Sequence, residues 1–512
     1  MEEVSAVTSE NLVEIEVFSH GALCICYFGQ CQMSSEIGGR SGNRGACAQP
    51  CRLPYVLCKE KNGQLKEITK PTFALSPKDL CTIEHIDQLS QAGIASLKIE
   101  GRMKSSEYVA IVTKIYRKYL DAYAETGNIK VEKGDLKELC QIFNRGDFTE
   151  GYLFGNPEER LMSGDLSKHQ GIYIGRVTGY TAPRKTDGRQ RGLVDIKLEK
   201  DVSIGDGVEI RNKELPGNII TYIKKKDQNI QEAQMDADIS IPLSKLNELR
   251  RMALEELETK RKWKRPNVSV LSLNHSNGLA ESDLKISEES NFKAGSNKEY
   301  TCHYYFRADT RCINDMADRI YLPYDAMLEG NLDIPRAVPV IPSVTKGWHD
   351  KQIHENFSRI VGLAMRNGIS VGNLGWIEPF ASKGVGVIGD FGLNLYNSMD
   401  FYLARELGIR EAVISQEAAI EDILEMDFHG VIPEITVDGK IPLMISEHDF
   451  YGDKNEEKDG YFLKDRKGEF YPIFAHPGSR QNTIFSYKNQ EIKVQKNLLI
   501  AKGIRRFRCY IL

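Results

Sequence analysis

From Tyr300 to its end, the chain alternates short apolar strands with helical patterns, which leaves few possible folds. Helical segments such as SMDFYLARELG separate several of the strands. Eight strands alternating with helices favour a (β/α)8 barrel over a doubly wound sheet, so we expect a (β/α)8-like barrel over residues 300–512. The eight strand candidates are YTCHYYFRAD, RIYLPYD, RAVPVIPSV, GISVGNLG, GVGVIGDF, EAVISQEA, GVIPEITVDGKIPLMIS and RRFRCYIL.

An internal repeat links the two ends of the chain. PEITVDGKIPLMIS echoes VEIEVFSHGALCIC, YFLKDRKGEFYPI echoes YVLCKEKNGQLKEI, and GIRRFRCYI echoes GIASLKIEG, in the same order. Unless this similarity is due to chance, the N-terminal segment is the remnant of a second such barrel and holds its last strands and a helix. The C-terminal copy has Met444 and Ser446 where the first has Cys24 and Cys26, so we expect that barrel to be structural or a binding surface, without a metal.

The sequence divides into four regions. Residues 1–126 form the barrel remnant, in which apolar residues recur at helical spacing from Ser105 and stop at Gly127. Residues 127–266 hold glycine-punctuated strands, which predict a small β-barrel insert, and then a helical segment. Basic residues around Trp263 suit either an RNA contact or a solvated helix end. Residues 267–299, rich in Ser, Asn, Glu and Lys, predict a linker to region 300–512, giving an α/β chain overall.

Composition excludes some classes of protein. The hydrophobic fraction of 41% and the charged fraction of 27% are ordinary for a globular protein, and a net charge of -4 gives no global attraction to nucleic acid. We find no apolar run long enough for a membrane span, and the acidic start has no apolar signal region. We therefore expect a cytoplasmic protein, in which clustered cysteines are ligands or redox groups rather than disulfides.

Cysteine is concentrated near the start of the chain. Seven of the 11 cysteines lie between Cys24 and Cys81, among glycines and arginines. Thiolates held close together suit an iron–sulfur cluster such as [4Fe–4S], and four thiolates also suit zinc, although the spacing lacks paired C-x2-C knuckles. Cys51 competes for a place among the ligands, and an inert core cysteine is the plain alternative for each single residue.

The stretch EVFSHGALCICYFGQCQMS resembles the signature of the collagenase-like peptidase family U32, which has the form E-x-F-x-x-G-A-L-C-x-x-x-x-G-x-C-x-M-S. The segments RSGNRGACAQPCR and SLKIEGRMKSSEYV are similar to the family's following blocks. The resemblance covers residues 1–125 and implies the end of a catalytic barrel that starts upstream of Met1. The chain therefore looks N-terminally truncated, and it is expected to be inactive alone if the missing strands are essential.

This resemblance implies an iron–sulfur protein that hydroxylates RNA without oxygen gas. In the large subgroup the implied target is a cytidine of ribosomal RNA, with prephenate, a small carboxylate, as hydroxyl donor. The implied cluster ligands are Cys24, Cys31, Cys47 and Cys81. The family's older name implies a collagenase-like endopeptidase instead, but the sequence shows no H-E-x-x-H or G-x-S-x-G motif. A third possibility is an inactive fragment or an RNA-binding subunit.

Several polar residues flank the predicted barrel mouth. His20 follows a barrel-type strand and suits a general acid or base, or a hydrogen-bonded structural role. Lys98, Glu100 and Arg102 alternate at the end of the next strand and share one face, so we expect them to enter the same mouth as catalytic residues. The candidates for binding carboxylates or RNA phosphates are the loop residues Arg40, Asn43 and Arg44, for which a solvated role is the alternative.

Overall fold

The computed structural model describes residues 1–10, 12–102, 104–155, 161–164, 167–186, 189–200, 202, 207–208, 218–219, 222–227, 230–235, 299–304, 317–330, 334–451, 460–476, 478–491 and 496–511. They fall into two compact units. One joins Met1–Gly171 to Ser296–Leu512, and the other is Ile172–Gly295. No helix in the described ranges is both long and apolar enough to cross a membrane. The basic segment around Trp263 and most of the predicted linker lie outside the described residues.

The N-terminal segment forms a mixed sheet and a helical layer. Its elements are α1 (Glu2–Ser9), β1 (Glu16–Ala22), α2 (Met33–Gly38), β2 (Val56–Lys61), β3 (Gln64–Glu67), β4 (Asp79–Cys81), α3 (Ile86–Gln91), β5 (Ser96–Ile99), α4 (Ser106–Thr126), α5 (Lys133–Ile142) and β6 (Phe148–Thr149). Four strands form a sheet in the order β5-β1-β4-β6, where β1 lies parallel to β5 and antiparallel to β4. The last strands expected of the barrel remnant include β1, within EIEVFSHGA, and β5, within ASLKIEGR.

Helix α4 shows why this segment folds locally as it does. The Ser105 side chain accepts a hydrogen bond from the Tyr108 N–H at its start, and Gly127 ends it in a left-handed conformation. Its apolar face packs on β4 and α3 through tyrosines such as Tyr116. The predicted helix is confirmed. The cysteine segment, residues 24–81, contains α2 and the β2–β3 hairpin.

The unit Ile172–Gly295 holds short antiparallel strands. They are β7 (Gly175–Thr186), β8 (Arg189–Leu198), β9 (Gly207–Val208), β10 (Asn218–Ile219), β11 (Tyr222–Asp227) and β12 (Ile230–Met235). Four pair in the order β11-β12-β8-β7, and β9 pairs with β10. Glycine-punctuated strands lie here as the sequence predicts, although the pairing order of the described strands is an open sheet rather than a closed barrel.

The C-terminal part contains a parallel sheet whose pairing returns to its first strand. Helices α6 (Tyr324–Gly330), α7 (Trp348–Ala364), α8 (Ile377–Ala381), α9 (Ser398–Glu406), α10 (Ile420–Glu425) and α11 (Lys496–Ala501) alternate with its strands. Each strand pairs in parallel with two others. The strands of this ring, in pairing order, are β13 (Glu299–Tyr304), β14 (Arg319–Pro323), β15 (Ala337–Ile341), β16 (Ile369–Val371), β17 (Val387–Gly389), β18 (Glu411–Val413), β19 (Ile432–Gly439) and β25 (Arg506–Ile511).

The predicted α/β class is confirmed, and each of the eight strand candidates contains one ring strand. One candidate is longer than a single strand, because GVIPEITVDGKIPLMIS breaks after Gly439. The chain then leaves the ring, and its next described pairing with a ring strand is that of Gln490–Glu491 with β19, before α11. This excursion carries β20 (Pro442–Ser446), β21 (Tyr461–Lys464), β22 (Phe470–Ala475), β23 (Asn482–Phe485) and β24 (Gln490–Glu491).

An antiparallel sheet joins the two ends of the chain. Its order is β20-β23-β22-β21-β2-β3, so the N-terminal hairpin pairs with a hairpin of the excursion. Leu57 lies opposite Leu463, and Val56 lies opposite Lys464. Leu57 and Leu463 also occupy the same position in the two copies of the repeat, YVL and YFL. The two copies therefore pair symmetrically about this residue.

The strand pairing repeats as well. β1 pairs with β5 through a register shift between Phe18 and His20, and β19 pairs with β25 through a shift between Thr436 and Asp438. Each first strand also pairs antiparallel with a short strand, β4 in one copy and β24 in the other. The bulge aligns Phe18–Gly21 of β1 with Thr436–Gly439 of β19. This register differs by two residues from the alignment read from the sequence, in which Cys24 matches Met444, so the strand pairing repeats but the sequence alignment of these strands is shifted.

Candidate functional site

The cysteine segment follows β1 after Gly21, a position at which a side chain would not fit. Gly21 has a φ of 116°, and a Cβ at this position would overlap the Glu100 carbonyl. The chain then runs beside β20, where the Tyr27 N–H donates to the Ile445 carbonyl at 3.0 Å and the Gln32 N–H to the Leu443 carbonyl at 2.8 Å. The backbone that carries the first three cysteines is thus fixed at both ends.

Four thiols of this segment influence one another electrostatically. Burial raises the pKa of Cys51 to about 12, and the neighbouring Cys24, Cys31 and Cys47 add to that shift while Arg52 opposes it. Cys24 is exposed, yet the surrounding protein still desolvates its thiol and raises its pKa, with Cys31 and Cys47 contributing. Cys24, Cys31, Cys47 and Cys51 therefore lie within electrostatic range of one another, and the first three of them are predicted ligands.

Cys31 differs from its neighbours in being acidified. A hydrogen bond with the Cys26 thiol, helped by the N–H groups of Met33 and Ser34, lowers the pKa of Cys31 against the effect of burial. Cys26 itself is buried, and its pKa is raised well above the usual value by desolvation and by Cys31. A lowered pKa favours the thiolate, which is the form of cysteine that binds metals and reacts.

Arg52 links the cysteines to the sheet and was missed by the sequence analysis. Its Nη2 donates to the Leu23 carbonyl at 2.8 Å, directly before Cys24, and its Nη1 donates to Ser76 Oγ at 2.9 Å. A positive charge beside Cys24 and Cys51 favours their thiolates. The only sequence signal is its place directly after Cys51.

The structure places Cys81 apart from the other proposed ligands. It ends β4 opposite His20, and its Sγ lies 3.7 Å from Tyr116 Oη in the apolar cluster under α4. Burial raises the pKa of Cys81 to about 12, and Cys140 rather than the loop cysteines is the neighbouring thiol that adds to the shift. Cys51 therefore interacts electrostatically with Cys24, Cys31 and Cys47, whereas Cys81 does not.

His20 lies in an aromatic cage rather than in an open mouth. It is 1% exposed, its Nδ1 is 3.4 Å from Tyr116 Oη, and the rings of Tyr108 and Phe148 pack on it. Burial, together with the positive charge of Lys104, lowers the pKa of His20 to about 3, so the imidazole is neutral at pH 7. This setting favours the structural role that the sequence left open for it.

Lys98, Glu100 and Arg102, at the end of β5, make contacts in three different places. Lys98 Nζ pairs with Glu16 Oε1 at 3.0 Å on an exposed face, whereas Arg102 Nη2 donates to the Gly45 carbonyl at 2.9 Å. The backbone of Glu100 accepts from Tyr108 Oη at 3.1 Å. Of these three predicted catalytic residues, only Arg102 contacts the loop that leads to Cys47.

The predicted substrate-binding residues hold that loop in place. Arg40 Nε donates to the Ala46 carbonyl at 3.0 Å within the loop. Asn43 Nδ2 donates to Glu417 Oε2 at 3.0 Å, which joins the loop to the C-terminal ring. Arg44 stacks over the side chain of Tyr396, which belongs to the C-terminal ring of strands and helices.

The side chain of Arg44 makes two contacts with Tyr396, between β17 and α9. Its Nη1 donates to Tyr396 Oη at 2.5 Å, and its guanidinium carbon lies 4.5 Å from the centre of the tyrosine ring. Stacking and a hydrogen bond to one residue fix a guanidinium firmly. These contacts occupy part of the binding capacity of Arg44.

A buried charged group lies beneath the cysteine segment. Arg145 forms an ion pair with Asp79 on β4, and both side chains are buried. Burial, together with the cations Arg145 and Arg52, lowers the pKa of Lys104 to about 8, although Asp79 opposes the shift. Three cations therefore surround one carboxylate, which makes this end of the sheet electropositive.

A metal ion or cluster requires several ligand atoms that face one point. Across the part of the chain that the structure describes, no three His, Cys, Asp or Glu side chains already stand in metal-binding geometry. The type and neighbourhood of Cys24, Cys31, Cys47 and Cys51 nevertheless fit a four-thiolate ligand set.

Known proteins resemble mainly the N-terminal part. The model of peptidase family U32 matches residues 1–163. The tRNA hydroxylation protein P1 of Bacillus subtilis is 41% identical over 209 residues, 40% of this chain and 48% of the relative. The collagenase of Porphyromonas gingivalis (strain ATCC BAA-308 / W83) is 34% identical over 238 residues, 45% of this chain and 55% of the relative.

A third relative is the 23S rRNA 5-hydroxycytidine C2501 synthase of Escherichia coli, 32% identical over 251 residues, 47% of this chain and 36% of the relative. The chain thus spans about half the length of the first two relatives, 48% and 55%, and less of the third. Names of RNA hydroxylation proteins and of a collagenase occur side by side among its relatives. Residues 1–163 of this chain are similar to peptidase family U32.

Proposed function

We propose that this chain is part of an iron–sulfur enzyme that hydroxylates RNA. The observation that carries the proposal is the gathering of Cys24, Cys31, Cys47 and Cys51 in one segment, with Arg52 beside them. Relatives named for tRNA hydroxylation and for the synthesis of 5-hydroxycytidine in 23S rRNA support the RNA substrate. Ribosomal RNA cytidine is the target that we propose first, and tRNA is its close alternative.

A [4Fe–4S] cluster would be held by Cys24, Cys31 and Cys47, with Cys51 or Cys81 as the fourth thiolate. When bound, such a cluster supplies electron transfer at a potential set by its surroundings. Arg52 would favour the thiolate forms through its charge. Zinc is the alternative occupant, because four thiolates also suit its tetrahedral preference.

The proposed hydroxyl donor is prephenate, a small carboxylate. Arginine binds carboxylates through paired N–H groups, and Arg40 and Arg44 lie on the loop between Cys31 and Cys47. Asn43 and Arg102 hold the same loop to the rest of the unit. We therefore propose that these residues position the donor near the thiols.

We also propose that the C-terminal ring is a (β/α)8-like barrel and that the sheet β5-β1-β4-β6 is the remnant of another. Two common features of β1 and β19 support this interpretation. Each strand has a bulge in its parallel pairing, and each has a short antiparallel partner of its own, β4 for β1 and β24 for β19. In barrels of this kind, chemistry takes place at the carboxyl ends of the strands. Cys24 follows the carboxyl end of β1, as that rule requires.

Anaerobic purification tests the cofactor. We expect about four irons and about four acid-labile sulfides per chain, with the broad visible absorption of a cluster. Cys24→Ala, Cys31→Ala and Cys47→Ala should each lose most of the iron, whereas Cys58→Ala, a buried cysteine on β2, should keep it. Zinc without sulfide, or no metal after reconstitution, would reject the cluster.

The fourth ligand is decided by two further variants. If Cys51 completes the set, Cys51→Ala should lose the cluster and Cys81→Ala should retain it. The reverse outcome would show that the segment around β4 moves to bring Cys81 to the other thiols. Thermal unfolding of each apo variant separates loss of ligand from loss of fold.

Mass spectrometry of RNA tests the substrate. A strain that lacks the gene for the whole protein should lose a hydroxylated nucleoside, and the wild-type gene but not a Cys31→Ala version should restore it. Digests of ribosomal RNA and tRNA, analysed separately, identify which RNA carries the modification. If neither RNA changes, RNA hydroxylation is the wrong activity.

The relatives named collagenase give a second candidate, endopeptidase activity. Gelatin cleavage by the purified protein would test it directly. If cleavage persists in Cys24→Ala and Cys31→Ala, the activity is independent of the cysteine group. A complete absence of cleavage by the metal-loaded wild type would reject endopeptidase activity for this chain.

A further inference from the structure

A cavity of about 60 Å³ lies in the C-terminal ring. Its described lining contains none of the cysteines, although Tyr27 of the cysteine segment packs against Phe391 and Ile445 of that lining. Its floor is formed by residues at the carboxyl ends of β13, β14, β15 and β17. Its roof comes from the excursion, through Ile445 on β20, His476 after β22 and Thr483 on β23. This is the end of a parallel strand ring at which ligands bind in related folds.

His349 is the residue that indicates a ligand. It stands in the first turn of α7, is 2% exposed and lines the cavity. Its Nδ1 lies 3.2 Å from Tyr324 Oη, whereas its Nε2 is buried without a hydrogen-bond partner among the described residues. A buried polar atom left unpaired is costly, so native structures normally supply a partner for it.

The opposite wall also carries polar groups. His476 Nε2 lies 3.0 Å from Thr483 Oγ1, and its ring stands edge-on to His349 at 5.7 Å between centres. Gln481 is buried, lines the cavity, and donates its amide N–H to the Val344 carbonyl at 3.0 Å. The wall therefore combines hydrogen-bonding groups with rings and offers directional contacts to a polar ligand.

The charges around the cavity exclude an anionic ligand. No Lys or Arg is among the described residues that line it. Burial lowers the pKa of His349 to about 4, and burial together with His349 lowers that of His476 to about 3, so both rings are neutral at pH 7. Asp390 also lines the cavity, but Arg508 Nη1 pairs with it at 2.5 Å.

One acid remains that would favour a cation. Asp325 lines the cavity, and burial raises the pKa of its carboxyl group. Its Oδ1 accepts a hydrogen bond from the Ala326 N–H at 2.9 Å, at the start of α6. Burial disfavours the charged form of this acid, which argues for a neutral ligand over a cationic one.

We propose that this cavity binds a small uncharged nitrogen heterocycle, of the size of a single pyrimidine ring, through a hydrogen bond to His349 Nε2. The flat side chains of Phe391, Pro323 and Pro342 line the same space and suit a planar ring. A heterocycle carries both donors and acceptors in its plane, which match the imidazole and the amide of Gln481. The site involves none of the cysteines and stands independently of the proposed RNA hydroxylation.

Calorimetry with the full chain tests the proposal, using 5-bromouracil as the neutral probe and benzoate and benzylamine as charged probes of similar size. We expect binding of 5-bromouracil alone. His349→Phe keeps the volume of the ring but removes its nitrogens, and it should weaken binding by about tenfold. His349→Gln, which keeps a hydrogen-bonding group, should recover part of that loss.

His354→Phe is the matched control, because His354 lies on the same helix with its side chain 69% exposed. It should bind 5-bromouracil as the wild type does. A soaked crystal of the wild type gives a second measurement that needs no variant, since the bromine can be located by its anomalous scattering. A bromine peak in the cavity, with the ring in contact with His349 Nε2, supports the site even if His349→Phe fails to fold.

Several results would overturn the proposal. They are binding of benzoate, binding of benzylamine that Asp325→Asn abolishes, or a cavity that holds only ordered water after the soak. Equal affinity of wild type and folded His349→Phe would show that the heterocycle binds elsewhere. Occupancy at crystal concentration only, with no heat of binding in solution, would count against it as well.

Discussion

Gly21 and Gly439 occupy the same position after the bulges of β1 and β19, when these strands are aligned by their pairing. Gly21 has a φ of 116° and Gly439 a φ of 94°, and a Cβ on either would overlap a carbonyl of the neighbouring strand. The carbonyl belongs to Glu100 in the first copy and to Tyr510 in the second. Close backbone approach after a bulge therefore requires glycine in both copies.

Gly21→Ala tests this requirement. We expect a loss of about 3 kcal/mol in the free energy of unfolding, because the strained φ and the steric overlap add together. Gly29→Ala is the control, since Gly29 also has a positive φ of 76° but no atom within 4 Å of the added Cβ. It should cost about 1 kcal/mol. Urea unfolding measures both, and equal losses would show that the overlap is relieved by movement of β5.

Arg508 is the central charged residue of the ring. It is fully buried on β25, and its guanidinium pairs with Asp390 and, at 2.8 Å, with Glu434. Burial alone would raise the pKa of Asp390, but Arg508, helped by His303, outweighs it and holds that pKa below the usual value. Asp390 therefore contributes stability that is present above about pH 4 and is lost as the pH falls through its lowered pKa.

Arg508→Met should cost about 3–5 kcal/mol at pH 7, because it leaves two buried carboxylates without their cation. Acid unfolding should also begin at a higher pH than in the wild type, since the effect of burial on the pKa of Asp390 is then opposed only by His303, Ser370 and the Phe391 N–H. Arg405→Met removes an exposed arginine that pairs with Glu406, and should cost at most about 1 kcal/mol. A loss no larger in Arg508→Met than in this control would contradict the role assigned to Arg508.

At the scale of secondary structure, the β2–β21 pairing joins the two ends of the chain. Leu57 and Leu463 lie opposite each other, and both are buried in the same apolar cluster. The repeat aligns these two residues with one another. The β2–β3 hairpin therefore pairs with the β21–β22 hairpin, which is its counterpart in the other copy. The N-terminal segment therefore has a defined place on the C-terminal part even though more than 400 positions separate the two strands in sequence.

A double-mutant cycle measures this pairing. Leu57→Ala and Leu463→Ala should each cost about 2–5 kcal/mol, and the double variant should lose less than their sum by about 0.5–1 kcal/mol, because each removes part of the same contact. Leu57→Ala combined with Leu322→Ala is the control, since Leu322 lies in a separate cluster. That pair should be additive. Additivity in both cycles would mean that the two leucines do not contact in solution.

At the scale of the whole molecule, neutral histidines that are buried or half-buried make the fold sensitive to acid. Burial is the main cause in each case, and it lowers the pKa to about 3 or about 4. An unfolded histidine takes up a proton near pH 6.5, whereas these do so only at much lower pH when folded. The histidines concerned are His20, His303, His349, His448 and His476.

Stability should therefore be greatest above pH 6.5 and fall as the pH drops from 6.5 towards 4. Each such histidine contributes a slope of about 1.4 kcal/mol per pH unit, because the unfolded state binds one more proton. Urea midpoints measured between pH 7 and pH 5 test the sign. His20→Phe should reduce the slope by the contribution of one histidine, about 1.4 kcal/mol per pH unit. His354→Phe, at an exposed position, is the control and should leave the slope unchanged. A flat profile over this range would contradict the burial of these rings.

The sequence by itself determined the elements of this protein. Its apolar periodicity predicted the ring strands and α4, and its cysteine spacing and family signature indicated the segment from Cys24 to Cys51. These signals are local, because a strand, a capped helix or a dense motif is specified by residues that are close together in the chain. The repeat was visible for the same reason.

Only the tertiary structure decided which of those residues meet. It separated His20 and Cys81 from the loop thiols, brought Arg52 beside Cys24, and showed the cavity at His349. Such contacts depend on the β1 bulge, on the chain beside β20 and on the β2–β21 pairing, all of which join distant positions. A single sequence carries no direct record of long-range pairing, since burial and register arise only when the elements pack together.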